Sequence, residues 1–321
     1  MSKLKTPIII TENLDEHPAV IAWSLLRPDL PKPKTIEVIK PNKSKSFVLR
    51  LLGVGENDCS VIAKQTEESI AMIERSIYEN ALRYLSKATI RYYGHIKTGA
   101  NSSWIFTEDI GGSPFSYNNI QHISLAIEWL VELHTAVPKL DCLSDRGLDS
   151  YHSHLISAYD TITLNLGNSA LSNKDIALLK SIISHFDFLR QRWDRIYTLY
   201  EQMPKGFIHG DFKVENLCVR SSNNENALFV FDWEFAGWGL PGIDMWRLNI
   251  ENYWLKVRTF WQDITFEEIK QIANLGKLLW CLSAIDWVTK SLAYEWIDKP
   301  MCRIKFYEEH LSAAIRDFQR N

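Results

Sequence analysis

The sequence predicts an α+β fold of two unequal lobes, a small antiparallel β lobe holding one helix and a larger, mostly helical lobe. Two observations carry this reading. Runs rich in β-branched and aromatic residues cluster before Gly111, and beyond Ile120 the apolar residues step by three and four almost throughout. The length of 321 residues agrees, since a domain takes roughly 100–200. The junction is expected at 110/111, giving lobes of residues 1–110 and 111–321.

The first strands are Ile36–Lys40, Ser46–Val54 and Cys59–Gln65, separated by PNKSK and by the turn-like Gly55-Glu56-Asn57-Asp58, so they form an antiparallel meander. Glu67–Ser86 follows as a helix, because Ile70, Ile73, Ile77, Ala81 and Leu85 line one face. Two more strands, Thr89–Lys97 and Trp104–Ile110, end at Gly111-Gly112-Ser113-Pro114. The helical lobe begins with ISLAIEWLVELHTAV, passes a polar stretch around Leu140–His154, and continues as one helix over Asn173–Gln202. A β island, Gly206–Val219 and Leu228–Phe235, interrupts it around the polar tip Ser221–Asn226. Beyond Pro241 the chain reads as helix. A short hinge between two such lobes leaves a cleft, a favoured place for a ligand.

Composition excludes several classes. Lys plus Arg number 36 against 39 Asp plus Glu, a net charge of −3 without a long block of one sign, so the electrostatic footprint of a nucleic-acid or anionic-membrane protein is missing. The five cysteines are scattered with no Cys-x-x-Cys pair, which fits a reducing cytoplasm. The apolar run Pro7–Ile10 is too short for a signal peptide, and no stretch approaches the roughly 20 apolar residues of a membrane span.

The island carries the chemistry. His209-Gly210-Asp211-Phe212-Lys213-Val214-Glu215-Asn216 is followed, 21 residues after Asp211, by Asp232 in FDWE. Asp and Asn five residues apart is the spacing of the kinase catalytic loop. Such a set serves to accept a hydroxyl proton and to hold Mg2+ against nucleotide phosphates. HGDFKVEN with FVFDWEFAGWGLPGID resembles the aminoglycoside phosphotransferase and choline kinase family, which has a protein-kinase-like fold. The likeness extends backwards in order through FTEDIGG, YENALRYL and VIAK, covering about Ile36 to Asp244.

That resemblance implies a kinase that moves the γ-phosphate of ATP or GTP to a hydroxyl of a small molecule, an antibiotic, amino alcohol or sugar. It implies Asp211 as catalytic base, Asn216 and Asp232 as Mg2+ ligands, and Lys64 as the cation on the α- and β-phosphates. Glu79, followed by the ALRYL pattern, would orient Lys64, with Glu67, Glu68 and Glu74 on the same helix as alternatives. Main chain from Glu108 to Ile110 would take the nucleobase edge, and His209 and Asp244 would brace the catalytic loop. Asn42-Lys43-Ser44-Lys45-Ser46 has no glycine, so backbone amides or Ser44 and Ser46 would donate to phosphate. Asp232 is followed by Trp-Glu and not Phe-Gly, and no A-P-E-like segment follows, so protein-kinase activity is disfavoured. A catalytically silent nucleotide-binding scaffold is the alternative from another class; its expected sign, a lost Lys, Asp or metal ligand, is absent.

Six of the 12 tryptophans follow Pro241, where the resemblance places the acceptor pocket. Core packing accounts for most of them, yet an aromatic and a carboxylate three residues apart, Trp254 and Glu251, share a helix face and are candidate acceptor contacts. His134, His152 and His154 lack companion carboxylates at metal-ligand spacing and are read as packing or solvent-facing residues.

Overall fold

The computed structural model describes residues 8–40, 46–55, 58–138, 143–222 and 225–320. Compact units divide the chain into 1–129, 138–144 and 213–236 on the one hand, and 130–137, 145–212 and 237–321 on the other. They do not part at 110/111. The hairpin of β10 (Leu217–Ser222) and β11 (Glu225–Val230) joins the first unit because β10 also pairs with β7 (Ser113–Pro114), Cys218 opposite Pro114 and Val219 opposite Ser113.

The first unit is built on a six-stranded sheet in the order β1-β2-β3-β4-β6-β5, from Ile8–Ile10, Ile36–Lys40, Phe47–Leu51, Val61–Thr66, Ser103–Glu108 and Tyr92–Lys97 respectively. All its pairings are antiparallel. The expected meander holds for β2, β3 and β4, after which β6 inserts beside β4 and leaves β5 at the edge. Side chains alternate across a strand. Leu49 and Leu51 of β3, Val61 and Ala63 of β4, and Trp104 and Phe106 of β6 therefore share one buried face, covered by Ala19, Val20, Ala22 and Trp23 of α1 (Pro18–Leu26). The intervening residues, among them Val48, Arg50, Ile62 and Lys64, take the opposite face.

Among the elements not expected are β1 and α1, which starts with Pro18 at its first turn and is capped by His17, whose Nδ1 accepts from the Ala19 N–H at 3.2 Å. The expected helix over Glu67–Ser86 is α-helical only as α2 (Glu68–Ser76). It continues as a π-helical turn, Ile77–Ala81, and a 3-10 turn, Leu82–Tyr84.

Helix α3 (Ile120–Thr135) crosses the division between the units. The second unit contains α4 (Leu148–Asn165), α5 (Asn173–Arg190), α6 (Trp193–Gln202), α7 (Ile250–Val257), α8 (Phe266–Thr289) and α9 (Asp298–Arg320). Its small sheet orders β8 (Asp145–Arg146), β12 (Gly237–Gly239) and β9 (Gly206–Ile208). The single helix expected over Asn173–Gln202 is broken at Gln191 and Arg192; neither Gly nor Pro marks the break, so periodicity reads through it. Helix α8 approaches the turn Pro241–Ile243 backbone to backbone: a Cβ on Gly242 would overlap the Ile272 carbonyl, and one on Gly276 would overlap Gly242. Two glycines thus let α8 seat the turn that ends at Asp244.

Candidate active site

In the first unit, a cavity of about 460 Å³ is lined on the open face of the sheet by Ile39, Val48, Arg50, Ile62 and Lys64. Lys64 reaches it because β4 alternates, Val61 and Ala63 packing on α1 and Ile62 and Lys64 facing the other way. The Lys64 ammonium donates to Glu74 Oε1 at 2.5 Å and to Asp232 Oδ1. Burial opposes its charge, but Glu74 and Asp232 outweigh that penalty and raise its pKa, so Lys64 stays an ammonium. Burial, resisted by Lys64 and aided by Asp232, lifts Glu74 to about 7.

This geometry corrects the assignment of Glu79. Glu79 points to solvent and takes Arg75 Nε at 2.9 Å, an exposed i, i+4 pair, while Glu74 is the buried partner of Lys64. At about 100° per residue, Glu79 lies on the far side of the helix from Ile70, whereas Glu74 falls within the stripe of Ile70, Ile77 and Ala81. A glutamate inside an apolar stripe was the available signal.

Asp232 has φ of +70°, in the left-handed region, where a non-glycine residue is strained. The Phe231 N–H donates to the Asn216 carbonyl at 3.2 Å, tying the segments that carry Asn216 and Asp232 together. Asn216 is buried at the end of the short turn Val214–Asn216, and both Asn216 and Asp232 line the cavity with Lys64. An amide oxygen and a carboxylate are hard oxygen donors, the set that suits Mg2+. At the other end of the same cavity lie Thr107, Glu108, Asp109 and Ile110. The Glu108 and Asp109 N–H groups are spent on the carbonyls of Arg91 and Ser60, at 2.8 and 3.0 Å. Among the described residues Ile110 N–H meets no such acceptor, which leaves it available to a ligand.

Ser46 also lines the cavity and accepts from Lys40 Nζ at 2.7 Å. Ser44 lies outside the described residues. Sequence reasoning missed Arg50, whose guanidinium bridges Glu37 at 2.5 Å and Asp109 at 2.6 Å on the cavity wall. It also missed Tyr78, one turn beyond Glu74, half-buried, stacked on Tyr92 at 5.1 Å and lining the cavity.

Asp211 belongs to the second unit. Its loop is held by main chain: Asp244, fully buried, accepts from the His209 N–H at 2.6 Å and the Gly210 N–H at 2.8 Å, and the Asp211 N–H donates to His209 Nδ1 at 3.2 Å. Gly210 has φ of +80°, a conformation that glycine adopts without a Cβ penalty, and this lets two successive amides turn onto one carboxylate. Trp254 on α7 donates its indole N–H to the Ile264 carbonyl at 3.1 Å and packs on Phe266, while Glu251 on the same helix is exposed.

A lysine held by a buried helical glutamate on an antiparallel sheet, with an Asp-x4-Asn loop and a second aspartate, defines a kinase-like phosphotransferase. The model of the APH phosphotransferase enzyme family matches residues 40–275, most of the chain, and the chain belongs to that family. It is a phosphotransferase with an alcohol group as acceptor. Among solved structures, the chain is similar to the GDP complex of wild-type aminoglycoside 2'-phosphotransferase-IIIa, with a TM-score of 0.62 and 13% identity over 93% of this chain and 99% of that one. An ethanolamine kinase of Plasmodium vivax gives a TM-score of 0.54 and 14% identity, covering 89% of this chain and 82% of its own. A spectinomycin phosphotransferase in complex with ADP and spectinomycin gives 0.53 and 13%, covering 91% and 98%. These likenesses establish the fold. No curated protein matches in sequence.

Proposed function

We propose that the chain transfers the γ-phosphate of ATP or GTP, with Mg2+, to a hydroxyl of a small molecule. The carrying observation is the single cavity that has Lys64, Asn216 and Asp232 at one end and the unspent Ile110 N–H at the other. Its volume of about 460 Å³ lies within the roughly 300–1,000 Å³ of ligand sites. The GDP and ADP bound in similar structures support a nucleotide there.

In this reading Ile110 N–H and the Glu108 carbonyl take the base edge, and Lys64 moves from Asp232 to the α- and β-phosphates while Glu74 keeps it oriented. Asn216 and Asp232 would hold Mg2+, which supplies neutralising charge to the phosphate oxygens. Asp211 accepts the acceptor hydroxyl proton as that oxygen bonds to the γ-phosphorus and the bond to the β–γ bridging oxygen breaks, releasing the nucleoside diphosphate. Positioning and electrostatics suffice, since phosphoryl transfer asks little covalent chemistry of the protein. A nucleotide-consumption screen with Mg2+ over hydroxylated amines, sugars and antibiotics tests the reading. Phosphate transfer to a panel member supports it; tight nucleotide binding with no acceptor-dependent turnover would favour a silent scaffold.

Asp232→Ala is expected to abolish the tightening of nucleotide binding by Mg2+, because it removes one of two oxygen donors. Calorimetric titration with and without Mg2+ reads this out, and an unchanged metal dependence moves the metal site elsewhere. The acceptor belongs to residues beyond Pro241 in this proposal, and Glu251 is the cleaner probe, because Trp254→Ala also disturbs the contacts with Ile264 and Phe266. Glu251→Gln is expected to raise the KM of an amine-bearing acceptor several-fold, leaving the nucleotide KM and the melting temperature unchanged; steady-state kinetics with each substrate varied separates these. A cytoplasmic location rests on the free, scattered cysteines among the described residues. None of the helices among those residues is long and apolar enough to cross a membrane.

A further inference from the structure

The sequence reads His134 as a packing or solvent-facing residue, yet it sits in a buried polar chain. Its Nδ1 lies 2.8 Å from the Tyr253 hydroxyl on α7, and its Nε2 lies 3.3 Å from Asp244 Oδ2. None of the three side chains is more than marginally exposed. Asp244 in turn takes the His209 and Gly210 N–H groups. The protons can be placed. Asp244 takes a main-chain N–H on each of its oxygens and so presents itself as an acceptor; His134 Nε2, facing Oδ2, is assigned as the donor to it. Burial and the Asp244 charge raise the pKa of Tyr253 well above its ordinary value, so its hydroxyl keeps its proton; with the His134 proton on Nε2, Nδ1 is the acceptor and the Tyr253 hydroxyl donates to it. The result is a directed chain, Tyr253 to His134 to Asp244, ending on the two amides that precede Asp211.

We propose that His134 and Tyr253 are positioning residues for phosphoryl transfer, fixing the Asp244 carboxylate, and through it the main chain of His209-Gly210-Asp211, to helix α7. A carboxylate with one oxygen shared between an imidazole and an amide and the other on the next amide cannot rotate without losing a bond. That restraint sets the direction of the loop leading to Asp211. Buried networks of this kind are expensive when half satisfied, so removal of either end is felt at the loop. The same chain reaches α7, which carries Glu251, so acceptor contacts on that helix and the loop of Asp211 share one restraint.

The proposal rests on Asp211 being the base, and the experiment separates the two. His134→Gln keeps a donor at the Nε2 position toward Asp244; His134→Asn keeps only a group at the Nδ1 position toward Tyr253. With a cognate acceptor, His134→Asn is expected to lose roughly 10²-fold in kcat, the scale of a misplacement of about 1 Å. His134→Gln is expected to retain most of kcat, with nucleotide Kd alike in both. Tyr253→Phe, which deletes one oxygen atom, is expected to lower kcat several-fold with nucleotide Kd unchanged, and it serves where the His134 variants fold poorly. Melting temperatures are measured on all three. Equal kcat in folded His134→Gln and His134→Asn, an unchanged kcat in Tyr253→Phe, or losses that follow melting temperature alone would overturn the proposal. Asp211→Asn run alongside identifies a failure of the base assignment: only there would that variant keep its rate.

Discussion

Asp211→Asn is expected to lower kcat by about 10²–10⁴-fold, the contribution typical of a general acid–base residue, while nucleotide binds as before. The expected separation follows from where the residue stands. Asp211 enters the loop network through its main-chain N–H, which donates to His209 Nδ1, and the loop is pinned by Asp244 through the two preceding amides. An amide side chain leaves those bonds intact. The cavity lined by Lys64, Asn216, Asp232 and Ile110 does not include Asp211. Single-turnover kinetics with a cognate acceptor, alongside nucleotide titration, measures both quantities. A variant that retains more than a tenth of the wild-type rate would remove Asp211 from the role of base; a parallel loss of nucleotide affinity would mean that it acts on binding and not on proton transfer.

Residues whose relation is fixed by local chain geometry were legible in the sequence. Asp211 and Asn216 lie on one loop and Asp232 ends the hairpin that follows it, so spacing alone relates them, and Lys64 follows from the alternation of β4. Glu74 was recoverable but not recovered, because the motif after Glu79 was weighed above the helical stripe that Glu74 interrupts. Other features depend on partners remote in sequence. Strand β1 has three residues and exists by pairing with β2, and α1 is nine residues long and almost wholly apolar, so it shows no amphipathic stripe. The bridge from Arg50 to Glu37 and Asp109, and the chain from Tyr253 through His134 to Asp244, join side chains that only the folded topology brings together.

Lys64→Met is expected to destabilise the protein by about 3–5 kcal/mol at alkaline pH, the cost of leaving one member of a buried ion pair without its partner. The pH dependence identifies the cause. Glu74 starts from 4.5 and is lifted to about 7 by burial, against the pull of Lys64; without the ammonium, burial and Asp232 lift it further. A carboxyl whose pKa is higher in the folded than in the unfolded state holds protons more tightly when folded, so its contribution to stability falls as pH rises from the unfolded value through the folded one. In the wild type the paired ammonium offsets only part of this, since Glu74 still lies near 7 beside it, and Lys64, its own pKa raised, stays charged across that window. The melting temperature of Lys64→Met is therefore expected to drop as pH rises from about 4.5 through and beyond 7, far more than that of the wild type. Glu74→Gln placed in the Lys64→Met background removes the titrating group and should restore a flat profile, making the two substitutions strongly non-additive as expected for direct partners. Additive effects, or a profile in Lys64→Met as flat as in the wild type, would mean that Glu74 does not hold the lysine. Substituting Glu79, whose partner is the exposed Arg75, should leave both profiles unaltered.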